Sequence, residues 1–195
     1  TLLTALPSRT GDQEILLALA QVRSGDPDAS VKTYRRVAQS KGPTAELASY
    51  KLGYMAFDQG QWSEAIRALD AHLIHHGSGR YADAAQWFIA LSRLRLGENG
   101  AAHKAFKKLE VSHPGSSLRP GSVYWQAQTI KDEPTRDRLL NRIVRTWPTT
   151  GYAWFASHQL GIAFPQKPAA GSPAKAVLPG TGTSDADWTM GLELT

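Results

Sequence analysis

The chain has 195 residues, 42% of them of apolar type and 20% charged, with a formal net charge of +5 and no cysteine. That length suffices for one well-buried domain, or one domain with a tail. The composition excludes disulfide staples and thiolate metal sites, fitting either the cytosol or a cysteine-poor periplasmic protein. No stretch approaches the roughly 20 uninterrupted apolar residues of a membrane-spanning helix.

The opening, "TLLTALPSRTGDQEILLALAQ", begins on Thr1. It lacks a basic n-region and a small-residue cleavage site, so it is expected to be the start of a mature or excised segment rather than a signal peptide. From there the apolar residues recur at helical spacing, as in Leu47, Tyr50, Tyr54 and Phe57, and again in Ile66, Leu69 and Leu73. Turn clusters punctuate the chain: "SGDPD" at 24–28, "SKGPT" at 40–44, "DQGQ" at 58–61, "HHGSG" at 75–79, "LGENG" at 96–100 and "SHPGSS" at 112–117. Each contains a glycine that stops one helix, and most add a Ser, Thr, Asp or Asn able to start the next. Alternating strand-type segments with hairpin turns are missing, so the expected fold class is all-α.

Residues 11–41 form a degenerate first helical hairpin around Ala18, Ser30 and Tyr34. Three later segments follow the same plan of helix, short Gly- or Pro-bearing turn and second helix. They are "YKLGYMAFDQGQWSEAIRALDAHL", "QWFIALSRLRLGENGAAHKAFKKLEVSHP" and "VYWQAQTIKDEPTRDRLLNRIVRTWP". The last two end in Pro114 and Pro148, 34 residues apart, which is the tetratricopeptide period. Gly53 and Ala65 are 12 apart, as are Ala90 and Ala102, and a large residue (Leu69, Phe106) follows four positions after each second member. Small side chains at those places let two helices approach, and the large one fills the gap toward the next hairpin. Ala65 and Ala102 are 37 residues apart, so the array is irregular.

In "RTWPTTGYAWFASHQLG", residues 145–161, Trp147, Trp154 and Phe155 are expected to pack, closing the array. After Gly161 the periodicity stops. Residues 163–183 are expected to be a Pro/Gly/Ala-rich linker, and 184–195, "SDADWTMGLELT", the start of a following helical unit with Ser184 or Asp185 as N-cap. Residues 1–162 are the helical domain.

Chemistry is sparse. Glu14, Glu46, Glu64, Glu98 and Glu110 stand near helix starts, turns or faces with no paired carboxylate, so surface and capping roles are expected and no catalytic residue is assigned. His72, His75 and His76 have a spacing that places two imidazoles on one helix face, but no third ligand type lies nearby. No metal and no cofactor is expected. The positive charge favours anionic partners in general. Lys104, Lys107 and Lys108, and Arg138, Arg142 and Arg145, are solvated helix faces in this reading, and no nucleic-acid-reading module accompanies them.

Residues 11–148 resemble tetratricopeptide-repeat proteins. "ELASYKLGYMAFDQGQWSEAIRALDAHLIHH" and "RYADAAQWFIALSRLRLGENGAAHKAFKKLEVSHPGS" are similar to periplasmic members such as the Tol–Pal coordinator and the outer-membrane assembly lipoproteins. A narrower resemblance begins at "SLRPGSVYWQAQ" and runs to Gly161. Through Tyr124, Trp125, Ala127, Trp147, Pro148, Tyr152, Ala156, Leu160 and Gly161 it looks like the last superhelical repeats of soluble lytic transglycosylases, and "MGLELT" resembles the start of that family's linker domain. The resemblance implies a tetratricopeptide-like superhelix of four to five helical hairpins followed by an extended tail. It implies a non-catalytic scaffold within a periplasmic peptidoglycan lyase, lipid-anchored or free. The family's catalytic Glu-Ser pair is not found here: Glu133 precedes Pro134, Glu64 precedes Ala65 and Glu193 precedes Leu194. The alternative is a stand-alone periplasmic scaffold for envelope assembly.

In such arrays one face of the first helix of each hairpin lines the concave surface. With Gly53, Ala90 and Tyr124 placed as equivalents, that surface receives Tyr50, Tyr54, Phe57, Trp87, Leu91, Arg95, Trp125 and Gln128. Tyr50, Tyr54, Trp87, Arg95 and Trp125 are the candidate ligand-binding residues, for a peptidoglycan glycan strand or an extended peptide. The same residues could instead be core, because strong curvature buries this face.

Overall fold

The computed structural model describes residues 9–164. The expectations for 1–8, for nearly all of the linker and for 184–195 therefore lie outside the described residues. Within them are the helices α1 (Gly11–Arg23), α2 (Pro27–Ala38), α3 (Pro43–Asp58), α4 (Trp62–His76), α5 (Ala82–Arg95), α6 (Asn99–Ser112), α7 (Arg119–Gln128), α8 (Glu133–Thr146) and α9 (Gly151–Leu160). They form four antiparallel hairpins, each with a first (A) and a second (B) helix, and α9 closes the array.

Local chemistry explains the boundaries. Thr10 opens α1 with a reciprocal capping box to Gln13. Asp26, Asp132 and Thr150 each accept a hydrogen bond from a backbone N–H of the first turn that follows. Pro27, Pro43, Pro120 and Pro134 stand in first turns, where the missing N–H costs nothing. Gly25, Gly60 and Gly97 adopt positive φ in the hairpin turns, a conformation that a side chain would strain. Gln61 and Glu98 start α4 and α6 without a side-chain cap, so those starts rest on packing.

Each helix packs against its neighbours in sequence, and the A helices also meet, α1 with α3, α3 with α5 and α7 with α9. Ala18, Ser30 and Tyr34 are fully enclosed, as are Ala65, Leu69, Ala90, Ala102 and Phe106. A β-carbon at Gly53 would strike the Leu69 side chain, so α3 and α4 approach there as closely as the backbone permits. In the fourth hairpin the register departs from the expected one. Ala18, Gly53 and Ala90 each stand five positions before the last residue of their helix, Arg23, Asp58 and Arg95. The residue so placed in α7, which ends at Gln128, is the fully buried Val123 and not Tyr124. The turn from α7 to the cap Asp132 is one residue longer than its counterparts, and this shifts the alignment.

Candidate binding face

The A helices present side chains to one another as well as to solvent, and this separates the five candidate residues. Tyr50 is buried. Its ring stacks on Tyr81 at 4.9 Å and 10° and meets the edge of His72 at 6.1 Å. Trp87 is only 5% exposed, with its indole edge-on to Phe106 at 5.5 Å and its Cη2 above Gly121. Both were candidates for an open surface, and both are core. The cause is curvature: α5 is enclosed on nearly every side, from Ala82 to Ser92 with Asp83 alone half-buried. Its large residues serve as spacers between α3, α6 and α7.

Three candidates remain accessible. Tyr54 is half-buried, edge-on to Phe88 at 5.1 Å, with Lys51 Nζ 5.3 Å from its ring centroid. Trp125 is half-buried beside Tyr124, whose ring centroid lies 5.7 Å away. Arg95 is exposed at the end of α5 and pairs with no acid among the described residues.

Sequence reasoning missed a further member, Gln159 of α9. Its Nε2 donates to the Tyr124 hydroxyl at 2.9 Å, and Gln128 Nε2 donates to Gln159 Oε1 at 2.9 Å. Both glutamines are exposed, so successive A helices carry amides in a row with aromatic rings beside them. The signal was the 31-residue interval from Gln128 to Gln159, close to one repeat. Burial raises the Tyr124 phenol pKa above its ordinary value, so Tyr124 is a neutral donor and acceptor at physiological pH.

The histidines form a separate feature. Ser49 Oγ donates to the Glu46 carbonyl at 2.8 Å and lies 2.8 Å from His72 Nδ1. A hydroxyl has one proton, so Nδ1 is the donor in that contact and Nε2 carries the lone pair. Nε2 is buried without a hydrogen-bond partner among the described residues. Burial and the neighbouring His76 lower the His72 pKa to about 4, against a smaller opposing pull from Glu46. Lys41, Ser49, Leu52, His72 and His75 line a cavity of about 510 Å³ between the α2–α3 turn, α3 and α4. Among the described residues no group of three or more His, Cys, Asp or Glu could hold a metal ion.

The five glutamates are tied into ion pairs or hydrogen bonds. Glu14 pairs with Arg9 and Arg36, Glu64 with Arg67, Glu98 with Arg93 and Glu110 with Arg142. Glu46 accepts from the Tyr81 N–H at 3.2 Å, fixing the α4–α5 connection. Trp147 takes the corner position expected of it, with the Arg119 guanidinium 5.3 Å from its ring. Trp154 does not pack as expected: it is 51% exposed, and its ring lies over His158 on the outer side of α9.

Residues 15–77 match the tetratricopeptide repeat family. A crystal structure from Podosopora anserina, titled for kinesin light chain and nearly identical TPR-like repeats, superposes with a TM-score of 0.57. It shares 16% identity and covers 76% of this chain and 82% of its own. The fold is tetratricopeptide-like. No curated protein sequence matches the chain. The tetratricopeptide match takes in the first two hairpins, and the superposition extends the same architecture over most of the array. No helix among the described residues is long and apolar enough to cross a membrane.

Proposed function

We propose that this tetratricopeptide-like array is a non-catalytic binding scaffold that holds an extended polypeptide along its A-helix face. The observation that carries this is the row formed by Gln128, Gln159, Tyr124 and Trp125 on α7 and α9. An exposed carboxamide offers one acceptor and two donor protons, which matches the alternating N–H and C=O of a main chain. The adjoining half-buried rings give apolar contact at low entropic cost. Selection of binding segments from a displayed peptide library tests this. Enriched segments should lose at least tenfold in affinity for Gln128→Ala/Gln159→Ala while the chain stays folded; unchanged affinity would overturn the reading.

The setting we propose is a periplasmic peptidoglycan lytic transglycosylase, in which the scaffold flanks a catalytic unit. What supports it is the Tyr124-Trp125, Trp147-Pro148, Tyr152, Ala156 and Leu160-Gly161 pattern. Its members have distinct structural duties: Ala156 is fully buried, Trp147 fills a corner, and Gly161 closes α9 at φ 66°. Co-sedimentation with purified peptidoglycan tests the glycan side. Retention in the pellet that Trp125→Ala abolishes would support it, and a chain wholly in the supernatant would remove glycan as a ligand.

A further inference from the structure

We propose that the outer face of α6 and α8 docks the chain on a bilayer surface that carries anionic phospholipid. The placement of charge leads to this face. The A helices α1, α3, α5, α7 and α9 together hold five Lys/Arg and five Asp/Glu, whereas the B helices α2, α4, α6 and α8 hold eleven and six. The helical surplus thus belongs to the B side, and α6 with α8 supplies seven of those cations and three of those anions. Helix α1 meets α3, α3 meets α5 and α7 meets α9, while no two B helices pack to that extent. The B helices therefore stand on the outside of the curve.

Pairing sharpens the contrast. All three acids within α6 and α8 are already matched, Glu110 by Arg142 at 3.0 Å, and Glu133 and Asp137 by Arg136 at 3.2 Å each. Lys104, Lys107, Lys108, Arg138 and Arg145 are exposed and form no ion pair among the described residues. Arg138 leans on the Thr135 hydroxyl and the Pro134 carbonyl, both neutral, and its field reaches the cap Asp132 without an ion pair. The three lysines stand at i, i+3 and i+4 in one stripe of α6. Arg138, Arg142 and Arg145 form a second stripe on α8, and the Arg142–Glu110 pair joins the two helices. Lys32 and Arg35 of α2 are set apart from this patch by α4, which carries one arginine against two acids.

The apolar residues of the same side decide which polyanion fits. Ile74 is 77% and Val111 69% exposed. They follow the small residues Ala65 and Ala102 by nine positions each, so they hold equivalent places on α4 and α6. Val111 also continues the lysine stripe, three residues after Lys108 and four after Lys107. A bilayer takes both kinds of group, the cations at its phosphates and the aliphatic tips at the acyl boundary. A single-stranded nucleic acid instead wants rings on which its bases stack, and Phe106, the one Phe, Tyr or Trp within α6 and α8, is enclosed.

The test follows the full chain on vesicles of phosphatidylcholine with and without phosphatidylglycerol. The chain should pellet with the anionic vesicles at low salt, and be released as salt cuts the screening length to about 3 Å near 1 M. Each Lys or Arg near an anionic bilayer strengthens binding about fivefold, so Lys104→Gln/Lys107→Gln/Lys108→Gln should lose about a hundredfold. Arg23→Gln/Lys41→Gln/Arg80→Gln removes the same charge elsewhere and should lose less than about threefold. Ile74→Ser/Val111→Ser should weaken vesicle binding by about tenfold. All these positions are exposed, and unchanged melting curves confirm that the variants fold. Equal losses for the two charge variants, equal binding to neutral vesicles, or binding to a random-sequence DNA duplex but not to vesicles would each overturn the proposal.

Discussion

The indole of Trp87 on α5 lies over Gly121 on α7, so that a β-carbon at 121 would stand 2.8 Å from Trp87 Cη2 and 2.8 Å from Cε2 and Cζ of Tyr152. Three A helices therefore meet at one glycine, and a candidate binding residue becomes the spacer that sets their separation. Gly121→Ala forces an aromatic ring to move and is expected to destabilise the chain by about 1–3 kcal/mol. Trp87→Ala empties the site and is expected to cost about 3–5 kcal/mol. Trp125→Ala, on the half-buried side, should cost clearly less than Trp87→Ala. Urea denaturation of the three variants checks this order, and equal losses for Trp87 and Trp125 would contradict it.

The close approach of α3 and α4 gives a second expectation. Gly53→Leu places atoms where the Leu69 side chain already lies, and Ala102→Leu does the same at an enclosed position between α5 and α6. Each should lower stability by about 1–3 kcal/mol or more. His75→Ala, on an exposed position, should stay within about 0.5 kcal/mol. Thermal melts of the three variants decide it, since comparable shifts for all would place the helix register elsewhere.

His72 makes stability depend on pH. Its folded pKa lies at about 4, below the ordinary 6.5, so between those values the unfolded chain binds the proton and the folded one does not. The stability this conceals is fully present above pH 6.5 and is lost progressively as the pH falls toward 4. A tenfold change in proton affinity is worth about 1.4 kcal/mol, so a fall from 6.5 to about 4 bounds the full loss at roughly 3.5 kcal/mol, less whatever solvent screening removes. Urea midpoints of the wild type at pH 7.5 and 4.5 should differ by more than those of His72→Gln. Equal pH sensitivity of the two would show that other groups carry the acid response.

Helix number, turn positions and the packing pairs were legible because they rest on local rules. Gly25, Asp26 and Pro27 stop one helix, cap the next and start it within three residues. The fate of the aromatic stripe was not legible, because Tyr50 and Tyr54 differ only in how far the array curves over them. Curvature is a sum of small rotations between hairpins, and periodicity does not encode it. The one-residue extension of the α7–α8 turn moved Val123 into the place assigned to Tyr124, as a slip in a turn shifts every later face. Gln159 escaped notice because α9 reads from its aromatics as a packing cap, yet it presents the same face as the A helices before it.

The most direct measurement of the scaffold reading is the map of amide shifts when a library-selected extended segment is titrated into the ¹⁵N-labelled chain. The account predicts the largest shifts at Tyr124, Trp125, Gln128 and Gln159, extending along the A helices toward Tyr54 and Arg95. Shifts centred instead on Trp154 and His158, or on the exposed Lys104, Lys107 and Lys108 of α6, would place binding on another face and contradict it.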